Sequence, residues 1–159
     1  MTKIYATCGF IGSGKTTYAK ALAEKCGAFR FSIDEWMLPL YGEHMERDVF
    51  DHRLSTLKGL FEEAALQLFA LGTPVIFDFG LWTRAERQAF SHWASSIGVD
   101  HQIHYLDVSF DICKQRALAR NSEREEKSYE MTPEMLDLFW SRFEVPSPEE
   151  NVVWVQTTT

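Results

Sequence analysis

An α/β domain built on a parallel sheet is the fold class this 159-residue sequence predicts. Three observations carry that expectation. Short apolar stretches alternate with amphipathic ones along the whole chain. Val75-Ile76-Phe77-Asp78 is an unbroken apolar run ending in a carboxylate, the pattern of a strand covered on both faces. Gly9-Phe10-Ile11-Gly12-Ser13-Gly14-Lys15-Thr16 spells G-x-x-x-x-G-K-T between a predicted strand and a predicted helix.

The elements follow in order. Lys3 to Cys8 reads as a buried strand leading into the glycine-rich loop, and Thr16 to Lys25 as a helix with Tyr18, Ala19, Leu22 and Ala23 on its apolar side. Gly27 ends that turn. Ala28 to Ile33 alternates like a second strand closing on Asp34, and Pro39 to Glu43 is a break. A long amphipathic helix is expected from Asp48 to Leu71, stopped by Gly72-Thr73-Pro74. After the strand Val75 to Asp78, Thr83 and Glu86 form a capping box for a helix that Gly98 closes. His101 to Asp107 is a fourth strand and Phe110 to Arg120 a fourth helix. Asn121 to Ser128 is charged, without apolar spacing, and is the candidate mobile segment. Thr132-Pro133-Glu134 opens a late helix with Thr132 at the N-cap and Pro133 at the first helical position. Asn151 to Val155 is a final strand. No repeat, linker or second domain is visible, so residues 1–159 read as one domain.

Composition narrows the function classes. Apolar content of 45% and aromatic content of 14% describe a packed globular chain. A net charge of −7 counts against a dedicated nucleic-acid binder, which needs a strong local excess of Lys and Arg. Cys8, Cys26 and Cys113 are odd in number, widely spaced and lack C-x-x-C, as expected of small core residues in a reducing compartment. No N-terminal run has the make-up of a signal peptide, and none approaches a membrane-spanning length. A soluble cytoplasmic protein is expected, with its oligomeric state unread.

The chemistry concentrates where the predicted strands end. The glycine-rich loop lets backbone N–H groups converge on phosphates at a helix N-terminus, with Lys15 as the cation and Thr16 as the magnesium-binding hydroxyl. In a doubly wound sheet Asp34 and Asp78 share that rim. Phosphoryl transfer to a hydroxyl uses one acid as base and another near the metal; alone, each aspartate also fits a helix cap or turn. Arg116 and Arg120 share a helix face leading to Arg124, either to close over phosphates or to lie on a solvated face beside Glu123, Glu125 and Glu126. Arg84 and Arg87 stand at a predicted helix start, where cations are disfavoured unless an anion or a nearby acid answers them. Trp36 and Trp82 follow the two aspartates closely, as walls for an acceptor or as core. The five histidines form no zinc pattern, and no covalent-nucleophile motif occurs.

On these residues the chain resembles small single-domain P-loop kinases, an AAA-type ATP-binding group that includes zeta toxins, chloramphenicol phosphotransferase, gluconate kinase and the kinase module of polynucleotide kinases. The resemblance spans nearly the whole chain through Gly9 to Thr16, Phe31-Ser32-Ile33-Asp34, Val75 to Asp78, Tyr105 to Val108, and Arg116 to Asn121. It implies a three-layer P-loop NTPase sandwich with a five-stranded parallel sheet and a short lid at about 120–131. It further implies ATP with Mg²⁺ bound by Gly9, Phe10, Ile11, Gly12, Ser13, Gly14, Lys15, Thr16 and Thr17, with Arg116 and Arg120 closing in. Lys15, Asp34 and Arg120 take the catalytic roles, Thr16 and Asp78 the metal, and Asp34, Trp36, Trp82, Arg84 and Arg87 the acceptor side. Transfer of the γ-phosphate to a small-molecule hydroxyl (an antibiotic, a sugar or a nucleoside-like compound) is the implied activity. A polynucleotide 5′-hydroxyl or nucleotide-sugar kinase, and a non-kinase ATPase switch, are the alternatives. Phe79-Gly80-Leu81-Trp82 departs from the small polar Thr-Asn pair common in relatives and implies a more apolar acceptor site.

Overall fold

The computed structural model describes residues 3–121 and 130–156. The chain runs β1 (Lys3–Cys8), α1 (Lys15–Cys26), β2 (Phe29–Ser32), α2 (Ile33–Tyr41), α3 (Arg47–Ala70), β3 (Val75–Gly80), α4 (Arg84–Ser96), β4 (Asp100–Leu106), α5 (Phe110–Arg120), α6 (Pro133–Arg142) and β5 (Val153–Val155). The strands form one five-stranded sheet in the order β2-β3-β1-β4-β5, and every pairing is parallel. Each strand return therefore needs a crossover, which the helices supply. Because β3 pairs with both β2 and β1, the loops that follow β1, β2 and β3 open at one edge of the sheet.

The core is aromatic. Phe31, Phe61, Phe77 and Phe79 pack between β2, β3 and α3, with Phe31 and Phe61 centroids 4.7 Å apart and Phe77 and Phe79 4.9 Å apart. Phe77 also meets Phe90 and Trp93 of α4. On the opposite side of the sheet, Tyr18 of α1 lies 2.6 Å from His104 Nδ1 in β4. Burial pushes the His104 imidazole below its ordinary value, with Lys3 adding to the effect, so the ring is neutral at pH 7.

Two expectations are corrected. The second strand does not reach Asp34: it stops at Ser32, and α2 begins at Ile33, so Asp34 stands in the first turn of a helix. The reason is local. Ser32 and Glu35 have the S-x-x-E spacing of a capping box, and the Ser32 hydroxyl accepts from the Glu35 N–H at 3.4 Å. Nor does the chain break at Pro39, which lies inside α2. That helix continues to Tyr41 and closes where the Gly42 N–H reaches the Leu38 carbonyl at 2.8 Å; burial of Met37 and Leu38 offsets the bond that Pro39 forgoes. The remaining boundaries shift by two residues at most. Thr83 and Thr132 cap α4 and α6 as expected.

Of the charged stretch Asn121–Ser128 expected to move, residues 122–128, including Arg124, lie outside the described residues. Its two flanks meet. The Asn121 side-chain amide donates to the Met131 carbonyl and accepts from the Met131 N–H. All three cysteines are free thiols; Cys8 and Cys113 are buried, while Cys26 is partly exposed. Burial pushes the Cys8 thiol up to about 12 and that of Cys113 to about 11, so neither is a thiolate at neutral pH. Among the described residues no helix is long and apolar enough to cross a membrane.

Candidate functional site

The glycine-rich loop leaves β1 and turns directly into α1. Its first N–H, that of Gly9, donates to the Gly80 carbonyl at 3.0 Å, tying it to the end of β3, and Ser13 N–H donates to the Phe10 carbonyl at 3.0 Å. Gly12 and Gly14 have φ of 83° and 88°, in the left-handed region that disfavours side chains. Gly12 is doubly constrained, because a methyl group there would run into the Cys113 carbonyl of α5. Phe10 anchors the loop from below. It is 2% exposed and sits among Trp82, Phe110, Trp140 and Phe143, with centroids 5.2–5.9 Å away.

The loop's chemistry is that of an anion cradle. Gly14 is the N-cap of α1 and supplies no capping side chain, and the first turn carries no acid. Its N–H groups and the positive end of the helix dipole are thus left to a ligand. The Ser13 hydroxyl is buried without a hydrogen-bond partner among the described residues. Arg116 of α5 donates to the Gly12 carbonyl at 3.4 Å, which seats its guanidinium against the loop. Lys15 runs beside Gly80 and Trp82: a methyl group at Gly80 would lie 3.6 Å from Lys15 Cε and 3.3 Å from the Trp82 indole nitrogen. These residues fit a nucleoside triphosphate. Thr16, one residue past Lys15, is the half-buried hydroxyl available for Mg²⁺, and the exposed Thr17 follows it. Among the described residues no group of three or more His, Cys, Asp or Glu side chains could hold a metal alone.

Asp34 is the acid that faces this cradle. It stands solvent-accessible in the first turn of α2, and the desolvation by surrounding protein pushes its carboxyl above the ordinary value. Lys15 opposes that rise, Asp78 adds to it, Arg120 opposes it and Glu35 adds to it. Lys15 from α1, Asp78 from β3 and Arg120 from α5 thus converge electrostatically on one carboxylate from α2.

Asp78, expected beside the metal, is hydrogen-bonded within the protein. Oδ1 accepts from the Thr7 hydroxyl at 2.8 Å and Oδ2 from Arg30 at 2.9 Å, and its side chain is 1% exposed. Each oxygen of this aspartate is thus engaged by a side chain of β1 or β2. Arg87 is likewise corrected as an acceptor contact. It is buried, forks onto both oxygens of Glu150 at 2.7 and 3.1 Å, and donates to the Leu81 carbonyl at 3.0 Å. The hydrogen bond from Arg87 holds the Glu150 carboxyl below its ordinary value. Arg84 is exposed at the start of α4, its N–H on Glu144 and its charge felt by Glu150. Trp82 packs on Phe10, Phe139 and Phe143, in the bed beneath the loop. Trp36, 43% exposed and edge-on to Phe61 at 4.9 Å, stands two residues beyond Asp34. An open groove of about 530 Å³ runs along α3, lined by Asp51, Leu54, Ser55, Lys58, Gly59 and Glu62; it includes no residue of the glycine-rich loop.

The family model for the AAA domain matches residues 4–146. The chain belongs to that family. Solved structures share the whole architecture. A Chloroflexus aurantiacus protein described as a kinase is 20% identical with a TM-score of 0.75, over 99% of this chain and 89% of that one. A gluconokinase from Sinorhizobium meliloti is 20% identical with a TM-score of 0.66, over 99% of this chain and 83% of its own. Kti12 from Chaetomium thermophilum, solved with ADP-AlF3, is 16% identical with a TM-score of 0.66, over 96% of this chain and 88% of its own. At these identities the likeness establishes the P-loop kinase-like fold. No curated protein matches the sequence.

Arg30, Thr7 and Glu150 went unseen in the sequence. Each is bound to a partner far along the chain: Arg30 is 48 residues from Asp78, Thr7 is 71 from it, and Glu150 is 63 from Arg87. Only the strand-end position of Asp78 hinted that a buried charge needed an answering cation.

Proposed function

We propose that this family member is an ATP-dependent phosphotransferase that delivers the γ-phosphoryl group to a hydroxyl of a small molecule. The observation that carries the reading is the phosphate cradle at the start of α1, with its unpartnered Ser13 hydroxyl and the Arg116 guanidinium against Gly12; the charges of Lys15 and Arg120 acting on the Asp34 carboxyl support it. Bound Mg-ATP would supply the phosphoryl group and the metal's charge neutralisation. The loop N–H groups, Lys15 and Arg116 hold the phosphates, and Thr16 ligates the magnesium. Asp34 accepts the proton of the attacking hydroxyl as the new O–P bond forms and the bond to the β-phosphate oxygen breaks. Arg120 stabilises charge on the group in flight. Because Asp34 is raised by burial, it is a stronger base than an ordinary carboxylate, while Lys15 and Arg120 oppose that rise.

Trp36 borders the acceptor side and favours a compound with a planar or sugar-like face. The net charge of −7 disfavours a polynucleotide. Three free thiols support a reducing, cytoplasmic setting. The test is ATP turnover measured against a panel of sugars, nucleosides and hydroxylated antibiotics. Turnover that rises with one hydroxyl compound and yields its phosphate ester supports the kinase; turnover indifferent to every compound but altered by a protein partner would favour an ATPase switch.

A further inference from the structure

Four side chains form a continuous chain from the strand that feeds the phosphate loop to the helix that carries Asp34. The Thr7 hydroxyl, two residues before Gly9, donates to Asp78 Oδ1 at 2.8 Å. Asp78 Oδ2 accepts from Arg30 Nη1 at 2.9 Å, and Arg30 Nη2 is bonded to Glu35 Oε2. Glu35 is the residue after Asp34, in the same first turn of α2. The Arg30 side chain is 11% exposed and Asp78 is 1% exposed, so water does little to screen the pair. The fork matters because its two nitrogens go to acids on different elements, β3 and α2; an ammonium has no such rigid, divided reach.

We propose that Arg30 is a positioning residue: it clamps the first turn of α2 to Asp78 of β3 and so sets Asp34 against the phosphate loop. The inference rests on the phosphotransferase reading for its purpose, though not for its geometry. Arg30 also offsets two negative neighbours of Asp34. The charged groups that face Asp34 are Lys15 from α1, Asp78 from β3, Arg120 from α5 and Glu35 from α2 itself. Losing the guanidinium removes the cation that Asp78 and Glu35 share.

The test is carbon NMR of the Asp34 carboxyl, assigned with Asp34→Asn, across a pH titration of full-length protein without nucleotide. Arg30→Met is expected to raise the Asp34 midpoint by about one pH unit, Arg30→Lys by about half of that, and Arg30→Met with Glu35→Gln is expected to bring it back toward wild type. Mg-ATP affinity by calorimetry stays at the wild-type value in all three. An unchanged Asp34 midpoint in folded Arg30→Lys and Arg30→Met proteins overturns the proposal. So does an equal loss of Mg-ATP affinity, which assigns Arg30 to the nucleotide. If Arg30→Met does not fold, Arg30→Lys carries the test. The titration needs no acceptor, so a protein that transfers nothing yet shifts as described upholds the clamp and sinks the phosphotransferase reading.

Discussion

Asp34 and Lys15 are the residues on which the proposed chemistry turns, and they depend on pH and charge in separable ways. Burial lifts the folded-state value of Asp34 above its unfolded one, so the folded chain favours the protonated carboxyl. Its contribution to stability is complete below the unfolded value and is lost as pH rises through the folded value. At neutral pH the ionised group is therefore a cost. Asp34→Asn should melt at a higher temperature than wild type at pH 7, with the gain shrinking toward acid, as calorimetric scans across pH will show. The same group must be ionised to accept a proton, so kcat/KM should fall on the acid side through a midpoint above 3.8, the ordinary value for aspartate. Lys15→Ala removes a cation from the phosphates and should reduce kcat by about 100- to 1,000-fold, read from single-turnover transfer.

Among the elements, the loop between β3 and α4 is tightly constrained. Leu81 adopts a φ of 44°, uncommon for a side chain of its size, and Arg87 holds its carbonyl in place. Arg87→Met strands the carboxylate of Glu150 and should cost about 3–5 kcal/mol in urea unfolding, whereas replacing both partners by apolar residues should cost less. Gly12→Ala forces a positive φ on alanine beside the Cys113 carbonyl. It should cost about 1–3 kcal/mol and weaken Mg-ATP binding, measured by denaturation and calorimetry. The sequence signals that succeeded were local ones. Thr83-x-x-Glu86 announced α4 and Thr132-Pro133 announced α6 because caps are written within four residues. Ser32-x-x-Glu35 carries the same signature, but the alternation of Phe29 to Ile33 read as a longer strand and hid the start of α2. Pro39 read as a stop, although the buried Met37 and Leu38 keep the helix going past it.

For the whole molecule, the order of the strands determines which distant residues meet. The glycine-rich loop and Asp34 could be matched to a site from sequence because each lies next to a strand end in a doubly wound sheet. The Thr7–Asp78–Arg30–Glu35 chain and the Arg87–Glu150 pair could not, since only the sheet order brings those side chains within bonding distance. The same parallel sheet order brings the ends of β1 and β2, and with them the phosphate cradle and Asp34, to one edge of the sheet, and their joint use in phosphoryl transfer is the central proposal. Its most direct test is the product mass spectrum of wild-type and Asp34→Asn protein, each incubated with Mg-ATP and the same mixture of hydroxyl compounds. Wild type should yield one compound heavier by a phosphoryl group, and the asparagine protein, binding Mg-ATP normally, should yield none. Equal product from both proteins, or γ-phosphate recovered from wild type solely as inorganic phosphate, would contradict it.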